Sequence, residues 1–361
     1  MHYSIALSSL AGLSCLSTLA SAAPFSFPLS NGFPNVANPS PQLTAIEEQA
    51  HGSLPNGSPP PSISKDSLTS LQLIAFNELS EVAFFSELVA NITNNVEGFR
   101  FQDNSAKNFI LNALNAVLAQ EELHELNANG AVAKFGGQAI QPCKYNFPVT
   151  TFDEAIALAS TFTDVVLGTL QDVQSLFGVD GDLGLIRGVA SVIGQEGEQN
   201  GYYRTLLGKN PSALPFLTTS TREFAFSALN QLFIVPGSCP NSNIIDLKIF
   251  QPLVVESKNI DAKSQNLKFS FAANGAGGYG SNYSGLSLVY INQQNTPIVE
   301  KLQNVNVDHD MVHFEALFPF DQATFGNGLT IAALTNSAGP FANADAVAQA
   351  TVFGPGLIEI N

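Results

Sequence analysis

Glu121 and His124 stand three residues apart in the stretch AVLAQEELHELNAN, residues 116–129. At 3.6 residues per turn this spacing puts a carboxylate and an imidazole on one helix face. Phe109, Ile110, Leu114, Val117 and Leu118 recur at helical intervals before them, so the same helix has an apolar side. A Glu-x-x-His pair facing the interior of a helical bundle is a metal-ligating arrangement, because an unpaired buried charge is costly and a cation offsets it. The competing reading is a solvated late turn in which Glu121, Glu122 and Glu125 face water.

Helices must position these groups, and the pattern supplies them. A long helix is predicted from Asp66 or Ser67 to about Asn94, with Leu71, Ile74, Glu78, Glu81 and Phe85 close to one face. A second spans about Ser105–Asn129, stopped by Gly130. A third opens on the capping-box residues Thr151 and Glu154 and runs to Phe177, with Asp164, Gln171 and Asp172 as polar insertions. A fourth, Leu185–Leu207, ends before Gly208 and carries Glu196, Glu198 and Gln199. A fifth follows a second capping box, Ser220 to Glu223. The turn at 178–184 lacks the ligand ladder of a calcium loop. After about Ile244 the apolar period changes from 3.6 to 2: Leu267, Phe269 and Phe271 alternate with polar residues, and further strands are expected near Leu288–Tyr290, Val305–Phe318, Leu329–Thr335 and Thr351–Ile360.

The expected organisation is therefore a signal peptide (1–22), a Pro/Ser/Asn-rich arm (23–62) with a short helix at 43–51, a helical domain (63–243) and a β-rich C-terminal domain (244–361), an α+β chain. The arm reads as a propeptide or a strap. The apolar run Ile5–Leu19 ends in Ala20-Ser21-Ala22, a small-x-small cleavage pattern, although His2 is its only candidate positive charge. Secretion is the localisation this implies. Cys15 leaves with the signal; Cys143 and Cys239 remain, an even pair that in an oxidising compartment suggests one disulfide. Sequons at Asn56, Asn91 and Asn282 fit a glycoprotein.

Of 361 residues 12% are charged, and the net charge is −16. That balance disfavours nucleic acid and anionic membranes as partners, and no later run is long and apolar enough to span a bilayer. Gly275–Gly280 joins two strands and precedes no helix, so it is not a nucleotide fingerprint. His309, Met311, His313 and Glu315 would line one strand face, either a metal edge or a solvated face. Neither a G-x-S-x-G elbow nor an H-E-x-x-H motif is found.

With four long helices in place, the sequence resembles the secreted ferritin-like family of fungi, which includes stress-response and late-sexual-development proteins and has plant desiccation-related proteins as relatives. The resemblance rests on Glu78-Leu-Ser-Glu81-Val-Ala-Phe-Phe85, Glu121-Glu-Leu-His124, Pro142–Pro148, Val189–Arg204 and Leu232–Pro240, and spans about 43–243. It implies a four-helix bundle, followed by a small β-sandwich-like domain, and a di-metal carboxylate site for iron or manganese. Carried over by position, the ligand set is Glu78 (with Glu81 as rival), Glu121, His124, Asp164, Glu196 and Gln199. Phe85 stands where some ferritins have a tyrosine. Gln199 replaces a histidine and Asp164 is one methylene short, so one metal position is intact and the other is damaged. Two functions follow: metal binding with residual metal-assisted oxidation, or a non-catalytic extracellular scaffold with cell-wall or matrix contacts and no metal. Catalysis is the less favoured, and no catalytic residue is assigned.

Overall fold

The computed structural model describes residues 23–273, 279 and 283–361. The expected signal peptide with Cys15, most of the glycine-rich stretch 275–280 and the sequon at Asn282 lie outside these residues.

Helix α1 (Pro41–Ala50) sits in the arm, and α2 (Lys65–Thr93), α3 (Asn104–Lys134), α4 (Phe152–Asp180) and α5 (Leu183–Leu206) form a four-helix bundle. α2 packs along α3 and α4 along α5, and α2 meets α4 to join the pairs. The helix starts are chemically marked. Ser64 accepts from Ser67 N at the start of α2, Asp103 from Ser105 N at α3, and Thr151 and Glu154 form the reciprocal capping box of α4. α2 is buried on every face, from Leu73 and Phe76 round to Leu79 and Val82, which makes it the central helix.

Two stop signals were overridden. α3 runs through Gly130 to Lys134, and α4 runs through Gly178 to a left-handed Gly181 (φ 79°). A helical glycine costs only ~1 kcal/mol against alanine, which packing of a long helix readily offsets. α6 (Arg222–Leu232) starts one residue later than a Ser220 cap requires: Thr221 is the N-cap, with no side-chain cap bond.

The arm is a strap on the bundle. Phe25 pairs with Tyr145, which in turn pairs with Ile234. Phe33 is fully buried, and Asn31 Nδ2 donates to Glu122 at 2.8 Å. Cys143 and Cys239 form a disulfide across 96 residues, which ties the α3–α4 connection to the segment after α6. On the chain-entropy account such a loop is worth roughly 4–5 kcal/mol.

The C-terminal strands are β1 (Val254–Val255), β2 (Gln265–Ala272), β3 (Ser287–Asn292), β4 (Ile298–Lys301), β5 (Gln303–Asp308), β6 (Met311–Phe318), β7 (Gly328–Thr335) and β8 (Thr351–Ile360), with a short α7 (Ala344–Ala350) before β8. They form two antiparallel four-stranded sheets, β1-β2-β6-β5 and β4-β3-β7-β8. The expected single strand over 305–318 is instead a hairpin, with His309 in its turn at φ 53°. His309 is therefore not on a strand face with His313, and the two bond separately to Asp308 and Glu256.

The second sheet joins the two halves. Leu288, Tyr290, Ala332 and Leu334 face Phe269, Phe271 and Phe314 of the first sheet. On the opposite face Val289, Ile291, Ile331 and Ala333 pack with Val165 of α4 and with Phe224 and Ala225 of α6. β3 and β7 are thus apolar on both faces, as a strand covered on both sides must be.

Candidate metal centre

Three helices bring the site together. α2 supplies Glu78, α3 supplies Glu121 and His124, and α5 supplies Glu196; one ligand atom from each lies within 4.8 Å of all the others. Among the described residues this is the one group of three or more His, Cys, Asp or Glu side chains close enough to share a metal ion. His124 Nδ1 lies 2.8 Å from Glu121 Oε2, 3.7 Å from Glu78 Oε2 and 4.0 Å from Glu196 Oε1. All three carboxylates are essentially inaccessible to water.

Burial and mutual repulsion set the charge state. Burial raises the Glu78 carboxyl to about 7 despite the opposing hydrogen bond and charge of His124. Glu196 is raised well above the usual carboxylate range, first by burial and then by Glu78 and Glu121. Burial works against charge on His124, but the neighbouring Glu121 and Glu78 carboxylates outweigh it and raise the imidazole well above its ordinary value. Glu78 and Glu196 therefore favour their protonated forms here unless a further cation is present.

Of the other residues carried over by position, Gln199 lies beside the group and Asp164 does not join it. Gln199 Nε2 donates to Glu121 Oε1 at 2.6 Å and to Gln120 Oε1 at 3.2 Å. Asp164 on α4 accepts from Asn200 Nδ2 at 3.0 Å, and its carboxyl rises to about 6 through burial, against the opposing charge of Arg204. Its short side chain serves a network facing α5 and the last strand, where Arg204 Nη1 lies 3.7 Å from Glu359. Of the sequons, Asn56 is exposed in a loop, and Asn91 is half-buried in the last turns of α2.

Glu81, the rival one turn from Glu78, is buried in the same field. Its carboxyl is raised well above its normal range by burial, then by Glu121, Glu78 and Glu196. Tyr203 was missed by sequence reasoning. It is fully buried, donates its hydroxyl to Gln199 Oε1 at 3.4 Å and stacks on Phe85 with centroids 5.8 Å apart. Its spacing was the available signal: it follows Glu196 by seven residues and Gln199 by four, one continuous helix face. A phenol therefore meets the position where Phe85 alone offered none.

The oxygens left over test whether a metal fits. Among the described residues, Glu78 Oε2, Glu81 Oε1 and both oxygens of Glu196 are buried without a hydrogen-bond donor. Buried acceptors left in that state each cost ~1–3 kcal/mol or more, whereas a divalent cation would satisfy several at once. Carboxylate oxygens with one imidazole nitrogen suit iron or manganese. The residues fit a metal.

A buried carboxylate–imidazole group inside a four-helix bundle defines the class to which this site belongs. Residues 68–209, which hold the bundle helices almost entire, match the family model described as a ferritin-like domain. The chain thus consists of a helical ferritin-like domain followed by antiparallel sheets. No curated protein matches the chain.

Proposed function

We propose that the bundle holds one divalent transition-metal ion, of the iron or manganese type, ligated by Glu78, Glu121, His124 and Glu196. The carrying observation is the set of buried, donor-free oxygens of Glu78 and Glu196 gathered around His124 Nδ1. A bound metal of this type would supply Lewis acidity and one-electron redox chemistry. The protein's own part is to exclude water, to hold Glu121 in place through Gln199, and to keep the carboxyl protons near neutrality so that a cation can displace them. The centre is read as binding first, with any metal-assisted oxidation secondary.

The surrounding biology belongs to the same reading: a secreted fungal glycoprotein, modified at sequons such as Asn56, Asn91 and Asn282, associated with stress or sexual development, with contacts in the cell wall or extracellular matrix. The small-x-small leader pattern and the Cys143–Cys239 disulfide support secretion. A second reading, a metal-free scaffold, is favoured by one observation: Asp164 lies outside the group, with Oδ1 bonded to Asn200, and Gln199 turns its amide nitrogen to Glu121, so a second metal position has no ligand set.

Elemental analysis of protein purified without added metal separates the two. The proposal expects close to one iron or manganese per chain, lost in His124→Ala while the helical circular dichroism is kept. Unchanged stoichiometry in His124→Ala would overturn the assignment. Wild-type protein that carries no metal and takes up neither iron nor manganese would establish the scaffold.

A further inference from the structure

Three members of the metal centre are sealed from water, and the fourth reaches the surface. The side chains of Glu78, Glu121 and Glu196 are 1%, 0% and 2% exposed, and that of His124 is 15% exposed. His124 stands one turn beyond Gln120 on α3, so the two share a helix face. α2 packs on α3, α4 on α5 and α2 on α4, but the backbones of α3 and α5 do not come together in this way. Side chains span that seam instead.

The spanning groups are glutamines. Gln195 Nε2 and Gln199 Nε2 of α5 both donate to Gln120 Oε1, at 3.0 and 3.2 Å. Gln120 Nε2 donates in turn to the carbonyl of Ala50, the last residue of α1, at 3.4 Å. The amide orientations are fixed from both ends, because the Glu121 carboxylate bonded to Gln199 and the Ala50 carbonyl can only accept. Turning Gln120 over would set oxygen against oxygen at Ala50 and nitrogen against nitrogen at Gln195. Beyond Ala50 the strap crosses to α5, where Pro60 stands 3.5 Å from the position of a Gly184 Cβ. A second approach to the centre is mainly apolar: a void of about 20 Å³ reaches Glu78 past Leu73, Val166 and Leu170. It has room for about one water, too little for an ion with its hydration shell.

We propose that a divalent cation enters and leaves the centre through the seam between α3 and α5, with the Gln120–Gln195 bridge as its gate and Ala50 of the strap as the latch. This rests on the reading of the centre as a metal site. Gln195 Oε1 is buried without a hydrogen-bond donor among the described residues, next in sequence to Glu196. It offers an entering ion a carbonyl oxygen in place of a lost water, before the carboxylates take over. Gln120 and Gln195 are half-buried, so the bridge lies at the mouth of the passage and the carboxylates at its floor.

Uptake of manganese(II) by the metal-free chain and its release to a chelator, both followed by the free-ion EPR signal, test the gate. A gate changes both rates by one factor and leaves their ratio, the Kd, as it was, whereas a residue that only orients Glu121 changes release. Gln120→Ala and Gln195→Ala should each speed uptake and release roughly tenfold, with Kd held within about threefold. Both positions are half-buried on helices, and alanine favours a helix, so the fold is kept. Val166→Ala, which widens the apolar void, should leave both rates unchanged. Unchanged uptake in either glutamine variant, faster release alone, or equal acceleration in Val166→Ala would overturn the gate. Refolding in manganese(II) loads the centre without using the passage. A chain that binds none even then overturns the metal reading and the gate with it; a chain that loads but shows unaltered rates overturns the gate alone.

Discussion

Gln199 Nε2 donates to Glu121 Oε1 at 2.6 Å, while His124 Nδ1 sits 2.8 Å from the other oxygen of the same carboxylate. Glu121 is thus clamped from α5 and from its own helix. Where a histidine at 199 would bring a second imidazole, the glutamine amide spends its nitrogen on orienting a ligand. Gln199→Ala should therefore lower stability by ~1–3 kcal/mol, the cost of stranding a buried acceptor, and leave metal stoichiometry unchanged. Chemical denaturation together with elemental analysis reads both effects. Loss of metal on the scale of His124→Ala would instead make Gln199 a ligand.

The buried acids predict an inverted pH dependence for the metal-free protein. Burial raises Glu78, Glu122 and Asp172 each to about 7 and Glu125 to about 8, while His124 is also raised. In the unfolded chain the carboxyls would titrate near 4, so from about pH 5 upward the folded state binds more protons than the unfolded one. The stability these groups contribute is complete below the unfolded values and is lost as pH rises through 7 and 8. Each group contributes a slope of about 1.4 kcal/mol per pH unit while it is protonated only in the folded state. The melting temperature of metal-free protein should fall from pH 5 to pH 8, and added iron(II) or manganese(II) should flatten that fall by replacing protons. A melting temperature that rises across this range without metal would contradict the charge states described for the centre.

Much of the helical half was legible because its signals are local. Caps at Thr151, the i, i+3 pair Glu121/His124 and the 3.6 period each reside within a few residues, and α2 to α5 fall where they were expected to within a few residues. Glycine was the weak signal, since Gly130 and Gly178 lie inside helices that packing extends beyond them. In the sheets, β2, β3, β7 and β8 fall where strands were expected, but β3 and β7 are covered on both faces, so the period read at Leu288 and Tyr290 did not mark a solvated side. β1 and β4, of two and four residues, are too short to show a period. At the site, spacing placed Glu78, Glu121, His124 and Glu196 on the right helices. It could not foresee that Asn200 would engage Asp164, or that Tyr203 would close over Phe85, because both depend on how α5 is rotated against its neighbours.

That rotation and the seating of the sheets meet at Gly168, in the interior of α4. A Cβ there would lie 2.3 Å from Thr218 O and 2.9 Å from Ser220 N. The 218–220 segment cannot retreat freely. Thr218 donates to Leu329 O on β7 at 2.6 Å and accepts from Gln293 N at 2.9 Å, and Thr219 N bonds to Gln293 O at 3.0 Å. In an open helix interior, glycine to alanine gains ~1 kcal/mol from backbone entropy. Gly194→Ala on α5, where nothing lies within 4 Å, should show that gain. Gly168→Ala should reverse the sign and destabilise by ~1–3 kcal/mol, because the added methyl must push backbone that is stitched to the sheet. Denaturant titration of the two variants side by side makes the comparison. Equal stabilisation in both would mean that the 218–220 segment does not pin the sheets against α4.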